Sequence, residues 1–135
     1  MVKLIVGVRG SGKTKALIEM VNGAAEASKG SVICIEKGNI LNYDITHKVR
    51  LIDVDEYFIA DAQALYGFIA GISASDHDIT DLFIDATYKT CKYDMAAFET
   101  FVEEVDKLSE KAGFSVVMTA SMPVEDVSET IKKYM

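Results

Sequence analysis

The sequence predicts an α/β fold, a three-layer sandwich in which helices cover both faces of a five-stranded, mostly parallel sheet. Three observations lead there. Strand-like runs alternate with helix-like segments along the chain, four of the five runs are apolar throughout, and no linker, repeat or low-complexity segment divides the 135 residues. A continuous apolar run suits a strand covered on both faces, and strand–helix alternation calls for parallel pairing through crossovers. A single domain spanning residues 1–135 accounts for the length.

The elements follow in order. Val2–Val6 is a short β-type run ending at Gly7. Lys13 to about Ala27 puts Leu17, Ile18, Val21 and Ala25 on one helical face, and Lys29-Gly30 punctuates its end. Ser31–Ile35 is a second strand, and the segment from Lys37 to Lys48 is polar and irregular. Val49–Val54 reads as a third strand, after which Asp55 or a neighbour caps a helix running to about Ile72. Residues 73–78 form a turn-rich loop, and Asp81–Asp85 is a fourth strand. From about Asp94 to Lys111, Phe98, Phe101, Val102, Val105 and Leu108 recur at helical spacing, and Gly113 is placed to end that helix. Phe114–Thr119 is a fifth strand, and Pro123 opens a last helix, where the first turn tolerates proline.

Composition narrows the function classes. The net charge is −7 and the pI is about 4.8, with no basic run. Nucleic-acid backbones are bound through clustered Lys and Arg, so general nucleic-acid binding is not expected. Cys34 and Cys91 form no Cys-x-x-Cys pair, and His47 and His77 are not spaced to complete a zinc site, which leaves reduced thiols and a cytoplasmic location as the simplest reading. The N-terminal residues lack signal-peptide character. Phe58–Ile72, the longest apolar stretch, is interrupted by Asp61 and Gln63 and falls short of the roughly 20 residues a membrane span needs.

The chemistry-bearing motif is Gly7-Val8-Arg9-Gly10-Ser11-Gly12-Lys13-Thr14, which fits G-x-x-x-x-G-K-[ST] at every fixed position between a strand and a helix. Gly7, Gly10 and Gly12 permit backbone angles and close approach that a Cβ would block. The N–H groups of this loop, with Lys15 just beyond it, are expected to cradle a β-phosphate, helped by the positive end of the helix dipole. Lys13 would meet the β- and γ-phosphates, and the Thr14 hydroxyl would ligate Mg²⁺. Asp85, at the carboxyl end of an apolar strand, is the expected second magnesium-positioning group, a Walker B aspartate to the loop's Walker A.

The loop and its flanking elements resemble the P-loop NTPase superfamily, and the likeness extends over most of the α/β pattern. The whole chain resembles small uncharacterised bacterial ATP-binding proteins. Some of those are grouped with twitching-motility ATPases, but this chain is too short for such a motor's extra domain. The resemblance implies ATP and Mg²⁺ as cofactors and hydrolysis as the reaction. Ala86 follows Asp85 where many such ATPases carry a glutamate. In the RecA-like branch a glutamate after the first helix substitutes, which implicates Glu36 as a water-orienting base. That branch also implies a γ-phosphate sensor, Thr119 or Ser121, on a fifth strand lying between the first and the fourth.

Absences shape the rest. Arg9 and Arg50 are the only arginines, whereas small-molecule kinases clamp phosphate with several. Arg9 is expected to fold outward. No Asn-Lys-x-Asp segment specifies guanine, so ATP is preferred over GTP. Asp53, Asp55 and Glu56 read as a solvated junction after the third strand. The apolar helix with Tyr57, Phe58, Leu65, Phe68 and Ile69 reads as core, with a dimer contact or a protein partner left open. The leading expectation is a slow or partner-stimulated ATPase, and the alternatives are a non-hydrolysing nucleotide switch and a small-molecule kinase.

Overall fold

The apolar runs pair edge to edge. In the computed structural model, which describes residues 1–135, strands β1 (Val2–Gly7), β2 (Ser31–Glu36), β3 (Arg50–Asp53), β4 (Ile79–Ile84) and β5 (Ser115–Ser121) form one sheet in the order β1-β5-β4-β2-β3. Every pairing is parallel. The fifth strand therefore lies between the first and the fourth, as the strand-order expectation has it. Parallel neighbours need crossovers: α1 (Lys13–Ala27) joins β1 to β2, α2 (Ala62–Ser75) joins β3 to β4, and α3 (Thr87–Thr90) with α4 (Met95–Ala112) joins β4 to β5, whereas residues 37–49 link β2 to β3 without a helix and α5 (Glu129–Lys132) follows the last strand.

Side-chain alternation sorts the core into two clusters. Leu4, Ile33, Ile35, Ile52, Leu82, Ile84, Val116 and Met118 join Leu65 and Ile69 of α2 and Phe98, Phe101, Val102 and Val105 of α4. Val32, Cys34, Phe83 and Val117, their immediate neighbours in sequence, join Leu17 and Val21 of α1 with Leu41, Ile45 and Val49 of the following loop. A period of two along each strand sends adjacent residues to opposite faces, so each face carries its own helices. A fully buried Leu or Phe contributes about 1.5–3 kcal/mol, and Leu17, Leu65, Phe98 and Val105 are each 0% exposed.

Local chemistry sets the helix ends. Asp94 accepts from the Ala97 N–H to start α4, and Gly113, at φ 83°, ends it in the left-handed region. The helix expected from Asp55 to about Ile72 is two elements instead. Asp53 accepts from the Asp55 N–H and starts a 3₁₀ turn over Val54–Tyr57, which stops when Phe58 turns left-handed. Buried Ile59 then leads inward, and Asp61 caps α2 through the Ala64 N–H. The last helix is corrected likewise. Pro123 precedes a 3₁₀ turn over Val124–Asp126, and α5 is capped by Ser128, whose Oγ accepts from the Ile131 N–H.

No helix is long and apolar enough to cross a membrane.

Candidate functional site

The carboxyl ends of β1, β5, β4 and β2 share one rim of the sheet, and the loops that leave them converge there. The glycine loop leaves β1. Gly7 is buried, and a Cβ there would come within 2.6 Å of Ser11 Oγ. Gly10 and Gly12 are left-handed at φ 83° and 88°, a region that glycine enters at no steric cost. Val8, Arg9, Gly10 and Ser11 are exposed, and Gly12 stands at the start of α1. Lys13 is 8% exposed and folds back over the loop, where its ammonium donates to the Val8 carbonyl at 2.9 Å.

Asp85 follows β4 and is 7% exposed. Its Oδ1 accepts the Thr119 hydroxyl at 2.5 Å, and both carboxylate oxygens lie 3.4 Å from Thr14 Oγ1. β4 and β1 never touch, so the loop and this carboxylate meet across β5, and Thr119 is the β5 residue between them. Its oxygen also accepts the Ala86 N–H at 3.0 Å. With its proton on Asp85 and its lone pair on Ala86, the hydroxyl supports the carboxylate from behind. Ser121, exposed at the end of the same strand, lines the cavity instead.

Glu36 ends β2 with 1% exposure. Its Oε1 accepts from the N–H groups of Ile40 and Leu41 at 3.0 and 3.1 Å, which ties the loop after β2 to the strand end. Burial pushes the Glu36 carboxyl above its ordinary range; the two amide bonds oppose this, and the charges of Asp53 and Asp85 add to it. One oxygen is thus committed to the backbone, and the other makes no hydrogen bond. Asp53, Asp55 and Glu56 form no metal site. Asp53 accepts from the Gly38 and Asp55 N–H groups, and Asp55 pairs with Lys37 at 2.6 Å.

Beside the glycine loop and Asp85 lies a cavity of about 480 Å³, whose lining includes neither Glu36 nor Thr119. Its charged lining is lopsided: five cations, Arg9, Lys13, Lys15, Lys37 and Lys89, face the single carboxylate of Asp85. Four of the five have no carboxylate within salt-bridge distance, although the chain holds 21 Asp and Glu against 14 Lys and Arg. Arg9 is exposed and lines the cavity. Lys89 was invisible to sequence reasoning because α3 carries no cap or period that marks it. Lys37 had a weak signal in its place just past the end of β2.

No cluster of three or more His, Cys, Asp or Glu is grouped to hold a metal ion unaided. Thr14 and Asp85 are two hard oxygen donors side by side. That fits magnesium, which takes one or two protein oxygens and fills its octahedron with water and substrate phosphates. No family model matches the chain, and none of the curated proteins matches it.

Proposed function

We propose that the chain is a minimal P-loop domain, a three-layer α/β sandwich of the RecA-like type, that binds ATP with Mg²⁺ and hydrolyses it slowly or when a partner stimulates it. The observation that carries this reading is the group of unpaired cations Arg9, Lys13 and Lys15 gathered on and beside the glycine loop, facing Asp85. Unpaired positive charge is costly to gather in one cleft, and in an acidic protein a polyanionic ligand is the simplest compensation. The strand order and the two-sided core support the fold assignment.

The residues divide the work by chemistry. The loop N–H groups from Val8 to Lys15 hold the phosphates, and Lys13 exchanges the Val8 carbonyl for phosphate oxygens. Thr14 and Asp85 would hold a magnesium ion, which would supply positive charge to offset that of the phosphates. Thr119 fixes Asp85, and Ser121 is the hydroxyl beside the terminal phosphate. Glu36, with its raised proton affinity, accepts the proton of an attacking water through its free oxygen. Ala86 in place of a second acid and the scarcity of arginine favour slow turnover.

Calorimetry with ATP, ADP and GTP, with and without magnesium, tests the reading. The expected result is magnesium-dependent ATP binding that Lys13→Ala weakens at least tenfold, with turnover of the isolated protein below about one per second. No nucleotide binding by the wild type would defeat it.

A second reading, a switch without useful hydrolysis, draws on one contact: Glu36 carries the loop after β2 on its Oε1 while neighbouring Asp85. A terminal phosphate that shifts Glu36 would then move residues 37–48. Hydrogen exchange that is identical with ATP and ADP would remove this reading.

A further inference from the structure

The glycine loop and the start of α1 form only part of the cavity wall. The rest comes from two segments: the loop after β2, with Lys37 and Ile40, and the turn after β4, with Lys89 and Tyr93. β2 lies beyond β4 from the glycine loop. The second segment packs against β5 and α4, on the sheet face opposite α1. A polyphosphate held by the glycine loop, Lys13 and Thr14 would lie at the β1–α1 end of the cavity, with Asp85 at the end of β4 as its limit.

Charge supports the same division. Arg9, Lys13 and Lys15, together with a magnesium ion, match a triphosphate and Asp85. Lys89 is then in excess, with no carboxylate partner. Lys37 is shared with Asp55. The same two segments add exposed apolar side chains to the lining: Ile40 at 67% and Tyr93 at 58%. Solvent-exposed apolar surface next to a cation suits a ligand with both characters. The backbone is constrained here as well, since Ala86, Lys92 and Tyr93 are all left-handed without being glycine. Such strain persists where the surroundings over-determine it, often at ligand clamps.

We propose that this part of the cavity is a subsite for a second ligand, a small anion with an apolar or aromatic body, held between Lys37 and Lys89 and against Tyr93 and Ile40. The inference rests on a triphosphate filling the glycine-loop end. It gives the protein two ligands, the second adjacent to the terminal phosphate.

The test uses the full chain saturated with magnesium and β,γ-imido-ATP, then titrated with phenyl phosphate and, separately, inorganic phosphate, by calorimetry or NMR. Phenyl phosphate binds the saturated complex and binds it more tightly than inorganic phosphate. Lys37→Gln and Lys89→Gln each weaken phenyl phosphate about tenfold, the scale of one charge-assisted bond, and leave the analogue's affinity within about twofold. Thermal melts establish that both variants are folded. No binding to the saturated complex, displacement of the analogue, or variants that weaken the analogue instead would each overturn the subsite, the last two by returning both lysines to the nucleotide. Lysine variants that bind phenyl phosphate as tightly as the wild type do the same. Failure of the analogue itself to bind removes the nucleotide reading, and the subsite falls with it.

Discussion

Replacing Thr119 by valine asks whether one hydroxyl holds Asp85, the proposed magnesium ligand, in place. The side chain is 2% exposed, and valine nearly matches its shape. The substitution deletes the bond donated to Asp85 and leaves the Ala86 N–H without its acceptor. A hydrogen bond to a charged group contributes about 1.5–3 kcal/mol, and an orphaned buried donor costs about 1–3. The two share one atom and are not additive, so the loss of stability should be about 2–4 kcal/mol. A domain stable by about 5–15 kcal/mol stays folded after that loss. Urea unfolding reads the first part. Nucleotide titration reads the second: affinity for ATP with magnesium should fall at least tenfold, while affinity without magnesium holds within about twofold. Thr119→Ser keeps both bonds and loses one methyl group, so it should cost about 1 kcal/mol and preserve the magnesium effect. A valine variant within 0.5 kcal/mol of wild type (roughly the error of such a comparison), or a serine variant as damaged as the valine one, would refute the reasoning.

Other positions give sharper signs. Ala86 sits at φ 55°, and a left-handed non-glycine residue costs about 1–2 kcal/mol; Ala86→Gly should therefore raise stability by about 0.5–1 kcal/mol in urea melts after the entropy of glycine is offset. Gly30→Ala should destabilise by more than about 2 kcal/mol, because a Cβ there would meet the Asp78 carbonyl oxygen at 2.1 Å; a melt unchanged from wild type would show that this turn relaxes freely. Burial, with smaller contributions from Asp85 and Glu36, pushes the Cys34 thiol up from 9.0 to about 12. Burial, then Asp61 and Asp94, does the same for Cys91. The folded values are raised, so the associated stability is intact below pH 9 and is lost as pH rises toward 12. The alkaline fall in stability should be shallower in the Cys34→Ala/Cys91→Ala double variant, and equal slopes would exclude the thiols as its cause.

Much of the fold was legible because its signals are local and strong. The apolar runs of β2 and β5 are too continuous for a half-exposed strand, and the spacing of Phe98, Phe101, Val102 and Val105 marks a buried helix face. The glycine loop was legible for the same reason, since each fixed position answers a backbone or side-chain demand. The break at Phe58 was not. It depends on two aspartates, Asp53 and Asp61, each capping its own turn, and on Ile59 being drawn into the core. The one-turn α3 was equally hidden, entered through a left-handed alanine and left through left-handed Lys92 and Tyr93, none of which sequence marks as a turn. The sequence left the phosphate-sensor role between Thr119 and Ser121, and the structure gives the Thr119 hydroxyl to Asp85 and Ala86. Only the pairing of β5 with β4 reveals that, and long-range pairing leaves no trace in a single strand's pattern.

That pairing makes β5 a gauge bar. The glycine loop and Asp85 hang from strands that are not neighbours, so their separation is set by the width of the strand inserted between them. Ile5 pairs with Thr119, and Ile84 pairs with Met118. A slip of one residue would turn Thr119 to the other face and bring Met118 or Ala120 against the carboxylate. The packing of Met118 and Ala120 into the core therefore guards the register that keeps Thr119 between the glycine loop and Asp85.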